Sequence, residues 1–206
     1  AAARRCFAKK RRKFDEYDQY DAPLKLRVWR QVKQSKSFFA YTFEDMEPSE
    51  VSHTVFLAVK MEVTSPAFWE RAALAVGDVA SALSPKQLAT VCYSFGAAKW
   101  RDEALAAALG PAVVRCAPEM RPSDLAATVQ SFARAQVHQA SALRALAQAA
   151  QAGPRLTPRG LSLVAGAFGT LRFRDEGFLR HLDAWAAGGG ASRCSEEQAV
   201  DLAHAA

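Results

Sequence analysis

Apolar and polar positions along residues 46–206 repeat with a helical period inside a longer one. Prolines stand at Pro48, Pro85, Pro122 and Pro158, spaced by 37, 37 and 36 residues, and Glu196 continues the register 38 residues later. On that register the segments read MEPSEVSHTVFLAVKMEV, LSPKQLATVCYSFGAAKW, MRPSDLAATVQSFARAQV, LTPRGLSLVAGAFGTLRF and CSEEQAVDLAHAA. Three apolar columns align: Val51, Leu88, Leu125 and Leu161; Val55, Cys92, Val129 and Ala165; Ala58, Phe95, Phe132 and Phe168. Their i, i+4, i+7 spacing builds one face of a helix, and recurrence at a fixed long period marks a repeat. Gly96, Ala133 and Gly169 follow the phenylalanines directly, small residues that let a neighbouring helix come close.

Each unit predicts two helices. Ser84 and Thr157 precede proline, the pattern of an N-cap hydroxyl followed by proline at the first helical position. The first helix should end near Trp100, Val137 and Phe173. Asp102 and Asp175, each followed by glutamate, read as caps of a second helix. That helix carries Phe68, Leu105 and Phe178, then Ala72, Leu109, Leu146 and Leu182. Turns fall near residues 64, 101, 138 and 174. Pro111, Pro118, Gly153-Pro154 and the run Gly188–Gly190 mark where the second helices end or bend, the glycine run serving as a linker. The expected fold is all-α: an α-solenoid of about four to five helical hairpins with a period of 36–38, units starting near 46, 83, 120, 156 and 194. A single hairpin is too small to bury its own apolar face, so stacking supplies the core. The last stretch reads as the opening helix of a fifth unit, without a polar capping repeat.

Composition sharpens this reading. Half of the 206 residues are hydrophobic, with alanine dominant, which favours a folded helical core. No stretch approaches the roughly 18 apolar residues that a membrane-spanning helix needs, so no membrane insertion is expected. Cys6, Cys92, Cys116 and Cys194 form no CxxC pair and have no clustered histidine, which points to reduced thiols, with Cys92 a small buried hydrophobe. His53, His138, His181 and His204 are scattered without ligand spacing, and the glycine run lacks the Lys-Ser/Thr of a phosphate loop. The expectation is a protein without catalysis, cofactor, metal or small-molecule substrate.

Charge is placed unevenly. Residues 1–45 hold 12 Lys/Arg and 6 Asp/Glu, whereas residues 46–206 hold 15 of each, so the whole excess of +6 belongs to the first segment. Residues 1–45 are read as a basic N-terminal arm and cap. The run RRCFAKKRRK at 4–13 supplies Arg4, Arg5, Lys9, Lys10, Arg11, Arg12 and Lys13, with Phe7, Phe14, Tyr17 and Tyr20 nearby as rings able to stack on bases. A nuclear-localisation-like run and a solvated tail are the alternatives. Leu24, Leu26, Val28, Val32, Phe38, Phe39, Tyr41 and Phe43 are expected to cover the first repeat. Near the intra-hairpin turns, Lys99, Arg101, Arg134, Arg172 and Arg174, with His138, are candidate phosphate contacts. Basic groups at helix C-termini complement the helix dipole equally well.

The period, the helical pair per unit and the recurring L-S-P-x-x-L…S-F-[AG]…D pattern resemble heptatricopeptide and octotricopeptide repeats over residues 46–206. Tetratricopeptide repeats fit worse, because their W-x2-L-G-x2-Y core is absent. The resemblance implies an organellar RNA-binding protein, mitochondrial (matrix) or, as second choice, plastid, often accompanied by a RAP domain, which is not seen here. With few units and a basic arm, it implies a structural part of a mitochondrial ribosome that contacts rRNA and neighbouring proteins. An RNA processing or stability factor, or a protein-binding scaffold subunit of another complex, is the alternative. If the arm holds RNA, replacing Lys9, Lys10, Arg11, Arg12 and Lys13 with glutamine should leave the melting temperature unchanged. It should also flatten the slope of log affinity against log salt by about three to four units, at ~0.7 per single-strand phosphate contact. An unchanged slope in a filter-binding titration would make the arm a passive tail.

Overall fold

The computed structural model describes residues 43–153, 156–190 and 195. The chain divides into two units, 1–41 and 42–206; expectations for residues 1–42 and 194–206 thus fall outside the described part, Ser195 excepted. All eight long elements described in the second unit are α-helices, and no strand occurs among the described residues. They are α1 (Pro48–Lys60), α2 (Pro66–Val79), α3 (Pro85–Ala98), α4 (Glu103–Cys116), α5 (Pro122–Ala135), α6 (Ala140–Ala152), α7 (Pro158–Thr170) and α8 (Glu176–Trp185). Short 3-10 turns at Ala80–Ala82 and Ala117–Glu119 extend α2 and α4.

The helices start where the polar signals place them. Pro48, Pro85, Pro122 and Pro158 occupy the first helical positions, where a missing N–H leaves nothing unpaired. Ser84 and Gln87 form a reciprocal capping box, and the Thr157 hydroxyl accepts from the Gly160 N–H at 3.1 Å. Asp102 and Asp175 cap α4 and α8 by accepting from the Leu105 and Phe178 N–H groups at 2.9 and 2.8 Å. Arg121, before α5, has no such side-chain oxygen and instead grips Asp124 through two guanidinium nitrogens at 2.7 and 3.1 Å.

The ends of α1, α3, α5 and α7 share one device. Glu62, Lys99, Gln136 and Arg172 adopt left-handed backbone, with φ of 56, 54, 55 and 51°. The next N–H, from Val63, Trp100, Val137 and Phe173, reaches back to the carbonyls of Ala58, Phe95, Phe132 and Phe168 at 2.9–3.0 Å. This is a Schellman closure, in which an apolar residue just past the helix folds onto the residue whose carbonyl it binds. In the last unit the contact is explicit: the Phe168 and Phe173 rings lie 5.1 Å apart. The turns fall close to residues 64, 101, 138 and 174, where they were expected, but glycine normally occupies the left-handed position and none does here, so the sequence does not mark which residue takes it.

Packing follows the long period. Helices α1, α3, α5 and α7 pack successively on one another, as do α2, α4, α6 and α8, giving two layers. All three apolar columns of the first layer are buried, from Val51 and Leu88 to Phe132 and Phe168. So are Phe68, Leu105 and Phe178, and the Ala72, Leu109, Leu146 and Leu182 column. Gly96 is required where it stands: a Cβ there would lie 2.8 Å from the Ser131 backbone of α5. Buried Ser94, Thr128 and Ser131 donate to carbonyls of their own helices at 2.8, 2.8 and 2.6 Å, leaving no orphaned hydroxyl at the seam. Between units, Arg115 donates to the Leu83 carbonyl at 2.8 Å. Aromatic clusters mark the two ends: Phe43, Phe68, Trp69 and Phe95 at one, Phe168, Phe173 and Phe178 at the other.

Of the signals expected to end or bend the second helices, Pro111 and the glycine run differ in outcome. Pro111 neither ends α4 nor marks its boundary; the helix runs through it to Cys116, with the proline on the exposed side. The glycine run, by contrast, does mark a helix end: regular α-helix stops at Trp185. Ala186–Gly190 continue α8 as a wide turn in which Gly189 takes φ 82° and Gly190 is buried against the Trp185 ring.

Phe132→Ala removes a buried ring that is both core and helix-end anchor, and should destabilise the fold by about 3–5 kcal/mol in urea titration; an unchanged midpoint would contradict the packing. Lys99→Gly relieves a left-handed strain of ~1–2 kcal/mol at an entropic cost of ~0.4–1 kcal/mol. It should therefore raise stability, by up to about 1.5 kcal/mol, while Lys99→Val, β-branched at positive φ, should lower it. Equal midpoints for the two variants would show that the turn is not left-handed in solution.

Candidate nucleic-acid interface

Helical phase sorts the candidate cations. Arg4, Arg5, Lys9, Lys10, Arg11, Arg12 and Lys13 lie outside the described residues. Lys99 and Arg101 sit on the α3–α4 connection, and Arg172 and Arg174 on the α7–α8 connection, all exposed. Arg174 pairs with Glu176 at 3.0 Å, both side chains more than 70 % exposed, so water and salt leave this pair worth no more than about 1 kcal/mol. Arg134 belongs elsewhere. It lies on the last turn of α5 and lines a groove against α7, on the solvent side of the first helix layer. The five cations therefore do not form one cluster: four belong to two connections separated by a whole hairpin, and the fifth to a helix face.

That face carries residues that a search for charge alone does not select. Eight residues after each unit's proline stand Phe56, Tyr93, Gln130 and Gly166, all half-buried. The Phe56 and Tyr93 rings lie 6.3 Å apart, tilted by 45°, and the Lys60 Nζ sits 5.2 Å from the Phe56 ring centre. Lys60 and Arg134 are four residues beyond this column, and Lys86 is seven before it, as is Arg159 in the last unit; at 3.6 residues per turn all share its side of the helix.

The electrostatics of the two layers differ. Helices α1, α3, α5 and α7 contain four bases, Lys60, Lys86, Arg134 and Arg159, and two acids, Glu50 and Asp124. Both acids are engaged: buried Glu50 accepts from the Glu47 N–H at 3.1 Å, and Asp124 is held by Arg121 at 2.7 Å. Helices α2, α4, α6 and α8 hold five acids, Glu70, Asp78, Glu103, Glu176 and Asp183, against Arg71, Arg115, Arg144 and Arg180. A body neutral by count is thus polarised by layer. The repeat register contained this signal, in the columns between the apolar ones.

Other chemistry is sparse among the described residues. No three His, Cys, Asp or Glu side chains come together to hold a metal ion. Cys92 and Cys116 are buried free thiols; burial pushes the Cys92 thiol up to about 12 and also raises that of Cys116, which keeps both as thiols at neutral pH. No helix is long and apolar enough to cross a membrane. The chain matches no protein-family model, and no curated protein matches it significantly.

Proposed function

We propose that this chain is an RNA-binding α-solenoid, a structural component of an organellar ribonucleoprotein, with a mitochondrial ribosome as the best-fitting assembly. The observation that carries the reading is the solvent face of the first helix layer. Four cations line it, its two acids are already engaged, and two neighbouring aromatic rings lie among the cations. Single strands are held in that way, by a positive track for phosphates and by π-faces on which bases stack. The stacking of like helices in each layer supports the solenoid reading, because it repeats one face at every unit. The basic arm at 4–13 adds a second, sequence-independent anchor to phosphate, suited to rRNA held in place and not to the reading of a long message.

A protein contact is favoured at a different place. Leu74 on α2 is 71 % exposed and Val114 on α4 is 43 % exposed, both in the second layer. In a ribonucleoprotein the two surfaces are compatible, RNA on one layer and a protein neighbour on the other; a scaffold without RNA would use only the second.

Replacing Lys60, Lys86, Arg134 and Arg159 together with glutamine tests the reading. Single-stranded RNA should bind more weakly, and the salt slope should fall by roughly three units, at ~0.7 per contact. Circular dichroism and the melting midpoint should hold, since all four side chains lie outside the core. If the parent chain fails to shift single-stranded RNA at low salt, the scaffold reading replaces this one.

A further inference from the structure

We propose that the groove between α5 and α7 is a pocket for one unpaired nucleobase of the bound strand, its edge read by the Gln130 amide and its phosphate held by Arg134. This inference rests on the RNA-binding reading above and deepens it. The groove measures about 290 Å³ and is lined by Gln130, Arg134, Ser162, Leu163, Gly166 and Thr170, with Ala133 and Ala167 completing it. That is the small end of the range for ligand sites, about 300 Å³ and upward, and it suits a flat heterocycle better than a larger group.

The groove exists because the surface column changes along the stack. In the first two units that column holds Phe56 and Tyr93, whose rings lie 6.3 Å apart, so at this position aromatic carbon stands over the α1–α3 seam. In the last two it holds Gln130 and Gly166, and the glycine leaves the α5–α7 seam open. A primary amide offers a donor and an acceptor side by side, the pairing that a base edge presents and that a lone phosphate or carboxylate does not. Among the described residues no neighbour engages the Gln130 amide or the Arg134 guanidinium. The Thr170 hydroxyl is committed to the Gly166 carbonyl at 2.9 Å, and the only acid of α5 and α7, Asp124, is held by Arg121. No carboxylate lines the groove, so nothing there repels a phosphate. Leu163, Ala133 and Ala167 supply apolar wall for the face of a base.

The test uses the full chain and short labelled RNA homopolymers of adenosine, uridine and cytidine, read by fluorescence anisotropy. The parent should prefer one homopolymer by at least about fivefold, the low end of what a two-point base contact discriminates. Gln130→Ala should level that preference while the affinity for the least-favoured homopolymer stays within about twofold, because the phosphate contacts that position the strand remain. Gly166→Leu fills the groove with a better helix former; it should weaken all three complexes several-fold without lowering the melting midpoint. Equal binding of all homopolymers by the parent, or an intact preference in both variants, overturns the pocket and leaves the RNA reading standing. Absence of binding to any homopolymer at low salt overturns both.

Discussion

The phenylalanine column holds the described unit together, because each member does two jobs at once. Phe95, Phe132 and Phe168 are buried at the joint between neighbouring helices, and their own carbonyls receive the hydrogen bond that closes the helix end. Ring and carbonyl belong to one residue, so core packing and chain reversal cannot slip relative to each other. The apolar residue after each turn, Trp100, Val137 or Phe173, is brought back over the same helix end and leads the chain into the second layer. The first unit has Ala58 in this column, and there Phe43, Phe68, Trp69 and Phe95 supply the aromatic volume that the alanine lacks.

This arrangement explains why four left-handed residues that are not glycine are tolerated. Each costs on the order of 1–2 kcal/mol locally, but the turn it permits half-buries an apolar residue and satisfies two otherwise unpaired helix carbonyls. Position therefore dictates conformation, and the side chain there is free of packing duties. Glu62, Lys99, Gln136 and Arg172 differ in charge although their backbones match.

Much of the helical layout was legible because it rests on signals that act locally. Proline at the first turn, hydroxyl and carboxylate caps, and apolar residues at helical spacing each act within a few residues, and the starts at Pro85, Glu103, Pro158 and Glu176 fall where those signals stand. Signals whose meaning depends on the surroundings were less decisive. Pro111 reads as a helix end or bend, yet α4 runs across it to Cys116; the glycine run reads the same way and does follow the last residue of α8, with Trp185 against its last glycine. The candidate interface was legible only in part. Net charge sums over a segment and discards phase, so a body with 15 bases and 15 acids read as neutral. Grouping cations by nearness to turns put Arg134 with Arg101 and Arg174, whereas its helical phase sets it beside Lys60, Lys86 and Arg159.

The contrast between inner and outer columns shows where such a stack can vary its surface without disturbing its core. Inward columns keep their character from unit to unit, mostly Val or Leu at one position and Phe at another, because each must fit both its own hairpin and the next. The outward column runs Phe56, Tyr93, Gln130, Gly166, passing from large aromatic to amide to no side chain at all, and packing nowhere forbids the change. Since the inward columns fix where each outward position sits, that variation is spatially ordered: paired aromatic rings over the first two units, an open groove over the last two. A single strand laid along this face would meet rings first and hydrogen-bonding groups afterwards. The resulting polarity comes from substitutions at one surface register alone.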